Sequence, residues 1–246
     1  MNLTIKTLLF LIPIFLFSGD SWIFWGLDEA IDRFDCEQRS MEITFETEQL
    51  VTVTSTYPIL SEKGALVDYV NERLEYDAEN WFDRLVREEK NSKEIWDEDY
   101  GVSYALFPVY VKPTLISIFG CENQGRGAHG CSDYEGKTFW RNGDSILEVT
   151  LDDLFIKESG YRLFILQYCE NALKTSGYGY YSYRKEFLPE LSLNDFDVFV
   201  LTERGVMIVF SAYKVGGWGD GPDTLEIPYS DLKKFIDPQG PLKSVL

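Results

Sequence analysis

The sequence predicts an α+β fold: a mainly antiparallel sheet packed against a few helices, with a smaller strand-and-helix unit before it. Three observations predict it. Stretches of strand character follow one another instead of alternating with helices, which argues against a regular βαβ succession. One long stretch, Glu62 to Lys90, repeats apolar residues at three- and four-residue spacing. The 246 residues are 45% hydrophobic and 15% aromatic, enough to bury a sizeable core and to exclude a disordered acidic chain.

Taken in order, Met41 to Tyr57 reads as a strand, because Ile43 and Phe45, then Val51 and Val53, alternate with polar residues. Pro58 is expected to end it, having no N–H to give a ladder. Ser61 is the expected N-cap of the long helix, whose buried face is Leu66, Val70, Leu74, Ala78, Trp81 and Leu85. Val102 to Lys112 and Leu115 to Cys121 follow as strands around Pro113. Thr138 to Trp140 and Ile146 to Val149 flank Asn142-Gly143-Asp144, a turn in which Asn and Gly tolerate positive φ. Leu151 to Phe155 is a short helical turn with Asp152 and Asp153 near its positive end.

Tyr161 to Lys174 is a second helix, with Leu163, Leu166, Tyr168, Cys169 and Leu173 on helix-compatible positions and Gly177 as its stop. Asp197 to Leu201 and Val206 to Tyr213 form a hairpin around Glu203-Arg204-Gly205. Thr224 to Ile227 is a last strand, and Ser230 is expected to cap a helix through Ile236.

Charge narrows the partners. Asp and Glu number 41 against 23 Lys and Arg, a formal net charge of −18. Nucleic acid needs a basic surface and an anionic membrane repels this one, so both are excluded as partners. The load is uneven: Trp22 to Tyr100 holds 21 acidic and 8 basic residues, net −13, whereas Gly101 to Leu246 holds 19 and 14, net −5. A single histidine excludes zinc sites that need two imidazoles.

Residues 1–21 read as an export signal. Lys6 precedes the ten-residue apolar run Leu8 to Phe17, and Gly19 and Ser21 are small residues at a cleavage spacing. The competing reading keeps Leu8 to Leu27 as an anchor; Asp20 late in that span weakens it. An exported chain with an even set of cysteines favours disulfides. Cys121 with Cys131 would staple the Gly-rich loop between them, leaving Cys36 with Cys169. A metal site from Cys121, His129 and Cys131 is the sharper but less favoured alternative, since no fourth ligand is evident. No metal or other cofactor is expected.

Candidate binding residues cluster in three loops. Tyr178, Tyr180, Tyr181 and Tyr183 lie in Gly-Tyr-Gly-Tyr-Tyr-Ser-Tyr, where tyrosines among small residues offer contact area at low entropic cost; the bland reading is an ordinary aromatic strand. His129 lies between Gly127 and Gly130, as an acid, a base or simply a turn residue. Trp218 and Asp220 lie in Gly-Gly-Trp-Gly-Asp-Gly, which lacks the spacing and closing Glu of a calcium loop. Asp152 and Asp153 are adjacent, so their side chains diverge and do not make a hydrolytic carboxylate pair.

Several segments stand in a recognisable order: Gly127-Ala128-His129-Gly130, Leu151-Asp152-Asp153-Leu154-Phe155, Phe199-Val200-Leu201-Thr202 with Gly205, Phe210 with Tyr213, and Ile227-Pro228-Tyr229-Ser230-Asp231-Leu232. Over about Tyr104 to Ile236 this resembles the extracytoplasmic C-terminal domain of RsiV-type anti-sigma factors, also found beside peptidoglycan deacetylase catalytic domains. The strand and long helix upstream resemble the smaller unit that usually precedes it. The expected division is therefore residues 1–21 as signal, 36–100 as the strand and acidic helix, and 101–246 as the RsiV-like domain. Two departures stand out: Gly216 to Gly221 replaces the family's usual loop after the hairpin tyrosine, and the Cys121 and Cys131 pair is not a family hallmark.

The resemblance implies an exported module of the bacterial envelope, periplasmic or extracellular, that binds a cationic protein or a cell-wall glycan without catalysis of its own. Only seven residues precede the apolar run, so an anti-sigma role is not implied. The alternatives are a peptidoglycan-acting hydrolase using acidic residues and a purely structural envelope protein.

Overall fold

A computed structural model describes residues 34, 36–46, 49–92, 99–125, 131–175, 191–193, 195–196, 198–211, 214–215 and 223–246. The fold is α+β and mostly strand. Strands β1 (Cys36–Glu46), β2 (Leu50–Leu60), β3 (Tyr100–Lys112), β4 (Leu115–Gln124), β5 (Cys131–Asn142) and β6 (Ser145–Val149) form one six-stranded sheet in sequence order. All neighbours are antiparallel except β2 and β3, which run parallel because helix α1 (Ala65–Asn91) carries the chain back between them.

The single strand expected over Met41 to Tyr57 is instead the hairpin β1–β2. Ile43 pairs with Val53 and Phe45 with Val51, so the apolar residues keep one face through the reversal. A period of two is the same for one straight strand and for two arms in that register, which is why the pattern hid the turn. Pro58 does not end β2. Pairing with β3 stops at Thr56, so the missing N–H falls where β2 has β1 as its one neighbour.

Helix α1 buries all six residues its periodicity marked, Leu66, Val70, Leu74, Ala78, Trp81 and Leu85. It begins later than expected, with Gly64 at the N-cap in place of Ser61. The cause is Asn71, whose side-chain amide accepts the Leu60 N–H at 2.9 Å and donates to the Leu60 carbonyl at 3.0 Å. The end of β2 is thereby held beside the second turn of the helix, and residues 61–64 must span the corner. Ser55 Oγ, buried in β2, donates to the Ala78 carbonyl at 3.1 Å and ties the middle of α1 to the sheet.

The turns after β3 and β5 each use two residues, Pro113-Thr114 and Gly143-Asp144, and Gly143 takes a φ of 63°. A bulge at Val109 shifts the β3–β4 register between Pro108 and Tyr110. Leu106 and Val111 therefore both face the α1 core, while Phe107 and Tyr110 face the other side.

That other side is covered by a second sheet, β7 (Phe199–Leu201), β8 (Gly205–Phe210) and β9 (Asp223–Pro228), all antiparallel. Val200 and Val209 pack on Phe119 and Cys121 of β4. The approach of β7 is very close: a Cβ built on Gly136 of β5 would lie 1.9 Å from the Phe199 carbonyl oxygen. One strand over, the Leu201 N–H donates to Ser117 Oγ at 3.0 Å, and Ser117 and Thr138 share a 2.9 Å hydroxyl contact, both side chains fully buried.

Helix α2 (Tyr161–Thr175) completes this half with a buried stripe of Tyr161, Ile165, Cys169 and Leu173. Leu163, expected on the helix-compatible set, is 54% exposed. The helix has apolar residues on more than one stripe, and the neighbouring sheet selects one. Near the C-terminus, Pro228 closes β9 as expected, but the helix that follows, α3 (Tyr229–Leu232), is one turn with Ser230 inside it and not at its cap. Ile236 instead bridges to Phe155 as an isolated strand pair. Among the described residues no helix is long and apolar enough to cross a membrane.

The expected disulfides are not formed by Cys36, Cys121 or Cys169. Cys121 pairs in register with Tyr134, whereas Cys131 pairs with Gln124, a three-residue offset. At about 3.3 Å per residue this places the two Cα atoms about 10 Å apart, beyond the ~7 Å limit of a disulfide. Cys36 is on β1 beside the α1 core and Cys169 belongs to the core beneath the second sheet. Burial pushes the Cys121 and Cys169 thiols up to about 12. Neither is therefore a nucleophile at neutral pH. Two outcomes are expected. Iodoacetamide at pH 8 leaves Cys121 and Cys169 unlabelled until the protein is unfolded, read by peptide mass. Gly136→Ala, which sets a methyl against backbone and not against a movable side chain, lowers unfolding free energy by about 3 kcal/mol or more in denaturant titration.

Candidate functional site

Between the C-terminal half of α1 and the face of β3–β5 beneath it lies an open cleft of about 450 Å³. Asp77, Asn80, Trp81 and Arg84 line it from α1; Tyr104, Glu122, Glu135 and Lys137 line it from the sheet, with Asp133 at its mouth. The pleat explains the grouping. Tyr104 pairs with Glu122 across β3–β4, Glu122 with Asp133 across β4–β5, and Asp133, Glu135 and Lys137 alternate along β5, so all these sheet residues share one face.

The deep end is a bonded network. Lys137 Nζ is 2.7 Å from Asp77 Oδ2, 3.2 Å from Glu135 Oε1 and 3.5 Å from the Tyr104 hydroxyl. Arg73 also reaches Asp77 Oδ2, at 3.1 Å. Tyr104 donates its hydroxyl to Glu135. Burial, then the charge of Glu135 and this hydrogen bond, holds the phenol well above its ordinary range, so it stays a neutral donor. Trp81 stacks on Tyr104 with ring centres 4.9 Å apart and 18° between planes. Gly120, opposite Glu135 in register, supplies the floor: a Cβ there would lie 2.5 Å from Glu135 Cγ.

The rim is looser. Glu122 accepts the Trp81 indole N–H at 2.7 Å and the Gln124 amide at 2.8 Å, and Arg84 reaches it at 3.3 Å. Asp133, directly opposite Glu122, is exposed. Like charges placed opposite each other across a sheet disfavour the fold, and Arg84 answers them only in part. Among the described residues no group of His, Cys, Asp and Glu could hold a metal ion.

None of these residues stood out as a site in the sequence. Asp77, Trp81 and Arg84 lie on one helix, but Tyr104, Glu122 and Lys137 are brought to them by strand register over intervals of 20 to 60 positions. The nearest signal was the acidic load before residue 100, and of the four cleft carboxylates it contains Asp77 alone. The residues singled out earlier, His129, Tyr178, Tyr180, Tyr181, Tyr183, Trp218 and Asp220, lie outside the described residues, as does the expected export signal over 1–21. Asp152 and Asp153 are described, and both have structural partners. Asp153 accepts the Thr150 N–H at 2.8 Å and the Thr150 hydroxyl at 2.7 Å in a capping box, and Asp152 pairs with Arg162 at 2.7 Å.

The segments that carried the resemblance serve mainly to build the second core. Leu154, Phe155, Phe199, Leu201, Phe210, Ile227 and Leu232 are all buried there. Thr202 Oγ1 accepts the N–H groups of Arg204 and Gly205 and shapes the β7–β8 turn. A Cβ on Gly205 would lie 2.1 Å from the Ile227 carbonyl.

Residues 152–230 match the family described as "Protein of unknown function (DUF3298)". Two solved structures are similar. A DUF3298 family protein from Pseudomonas aeruginosa aligns with a TM-score of 0.59 at 17% identity, covering 85% of this chain and 97% of its own. A member of the same family from Bacteroides fragilis aligns with a TM-score of 0.52 at 17% identity, covering 86% and 98%. At this identity the likeness establishes the fold. No curated protein matches the sequence.

The network makes a prediction about α1. Lys137→Met leaves the carboxylates of Asp77 and Glu135 facing the cleft interior without the cation from β5 and should cost about 2–4 kcal/mol in unfolding titrations. Arg84→Met, at the solvated rim, should cost about 0.5 kcal/mol or less.

Proposed function

We propose that this protein is an exported module of the bacterial envelope that binds a protein or a cell-wall glycan, with the α1–sheet cleft as its binding site. The observation that carries the reading is the charge of the cleft wall. Asp77, Glu122, Asp133 and Glu135 face Arg84 and Lys137, and Arg73 reaches Asp77 from beside the lining, four carboxylates against three cations, so a surplus of one negative charge remains before any partner arrives. A concave surface with a few converging polar groups and a surplus of one sign is suited to a ligand of the opposite sign.

Other observations support the reading. The apolar run after Lys6 has the form of an export signal. The order of segments from Gly127 to Leu232 resembles the RsiV-type extracytoplasmic domain, and the DUF3298 match falls within it. Helix α1, which carries Asp77 into the cleft, lies within the stretch of net −13 from Trp22 to Tyr100, and that charge would speed encounter with a basic partner.

Of the two partner classes, the cleft favours a cationic protein. Trp81 and Tyr104 are buried and stacked on each other and offer little open ring face to a sugar, whereas the Asp133 carboxylate is exposed at the mouth. Titration calorimetry with basic proteins and with soluble peptidoglycan fragments tests this. Binding of a basic protein should weaken steadily as ionic strength rises through about 0.1 M, where the Debye length is near 10 Å. No salt-sensitive binder among basic proteins overturns the cationic reading, and no binder in either class overturns the module itself.

A further inference from the structure

We infer that β1 is a docking edge for an extended segment of a basic polypeptide, which adds to the six-stranded sheet as one further strand. The surface lies on the flank of α1 away from the cleft and does not depend on the cleft being a binding site. In the sheet order β1 comes first, and β2 is its one neighbour among the described residues. Every second residue of an antiparallel edge strand turns both its N–H and its carbonyl outward, where another chain can meet them.

The two described sheets have four edges, and β1 differs from the other three. Edges are ordinarily blunted by shortness, a bulge, proline or lysine, each of which hinders a further strand. β6 has five residues, β7 has three, and β9 has six and ends on Pro228. β1 runs for 11 residues, pairs with β2 without a register shift and contains neither proline nor lysine. Its one basic residue, Arg39, is held by Glu37 at 3.5 Å and by Glu75 of α1 at 3.4 Å.

The side chains beside this edge say what the added strand must carry. Met41, Ile43 and Phe45 of β1, with Phe82 and Val86 of α1, are only partly buried, so the core beneath α1 reaches the edge without being closed there. Phe82 and Val86 share a helical stripe with Glu75 and Glu79. The Arg39–Glu75 contact, and the Lys90 ammonium 5.3 Å from the Phe45 ring centre, place that stripe beside β1. An incoming strand with apolar residues at alternate positions would close the row. Its other positions meet the opposite face of β1, where Ser40, Glu42, Thr44 and Glu46 are exposed. Glu37, Glu42, Glu46, Glu75 and Glu79 outnumber Arg39 and Lys90 along these two elements, so basic side chains suit those positions. A second copy of the chain would bring its own net charge of −18 to the same place, which disfavours it as the occupant.

The experiment follows amide hydrogen exchange in β1 of the intact protein by NMR, with acetyl-Lys-Val-Lys-Val-Lys-Val-Lys-amide as the probe. At saturation, alternate amides between Glu37 and Glu46 should exchange about tenfold more slowly or less. The same peptide N-methylated throughout, which keeps the side chains but donates no main-chain hydrogen bond, should leave them unchanged. Glutamate in place of the probe's lysines, or Glu42→Lys at an exposed side chain of the protein, should weaken binding about threefold or more. Equal protection by the N-methylated peptide, equal affinity of the glutamate peptide, or no slowing in β1 overturns the inference. Slowing that grows with protein concentration in the absence of any peptide assigns the edge to a second copy and overturns it as well. Asp133→Asn, at the mouth of the cleft, should leave the probe's affinity unchanged; a loss there places the peptide in the cleft and removes β1 as its site.

Discussion

The architecture depends on how closely β7 can approach the large sheet. At Gly136 the Phe199 carbonyl occupies the place a side chain would take, and beside it Ser117 receives the Leu201 N–H. A short strand pressed backbone-first onto a sheet would ordinarily leave polar groups buried without partners. Here one missing Cβ and one hydroxyl pair resolve both the steric and the hydrogen-bonding problem. Because β7 is seated, β8 and β9 follow in register, and the core of Phe155, Cys169, Phe210 and Leu232 can close behind them.

With that face of β3–β5 sealed by the second sheet, the other is left to α1. The helix covers it with an apolar stripe from Leu66 to Leu85, tied to the sheet at Ala78 by Ser55, and meets polar residues on the strands along one flank of that stripe. The cleft forms along that flank. Its charges are therefore not a decoration on a finished fold: Lys137 and Asp77 fasten the helix to β5 while Glu122 and Asp133 remain at the opening. The same network fastens the helix at its deep end and leaves Asp133 exposed at its rim.

Much of the fold was legible in the sequence, and for identifiable reasons. The α1 face is strongly periodic, and the Asn142-Gly143 turn and the Glu203-Arg204-Gly205 hairpin carry local chemistry that acts within a few residues. The misplacements were of another kind. The β1–β2 reversal was hidden because both arms keep the same parity. Ser61 lost the cap because Asn71 holds Leu60. Leu163 was outcompeted by Tyr161, Ile165 and Cys169 for the buried stripe. The expected Cys121–Cys131 bridge failed on register alone, a quantity that residue spacing does not contain.

By itself the sequence determined the class, the buried face of its long helix, most of its strand segments and the concentration of negative charge before residue 100, because these follow from local propensity, periodicity and counting. Only the tertiary structure decided where that charge would matter. Asp77 and Lys137 are sixty positions apart and meet at 2.7 Å; Trp81 and Glu122 are forty-one apart and share a hydrogen bond. Such meetings depend on strand register and on the seating of α1 across β3–β5, and each of these is set by the packing of the whole sheet, not by any segment within it.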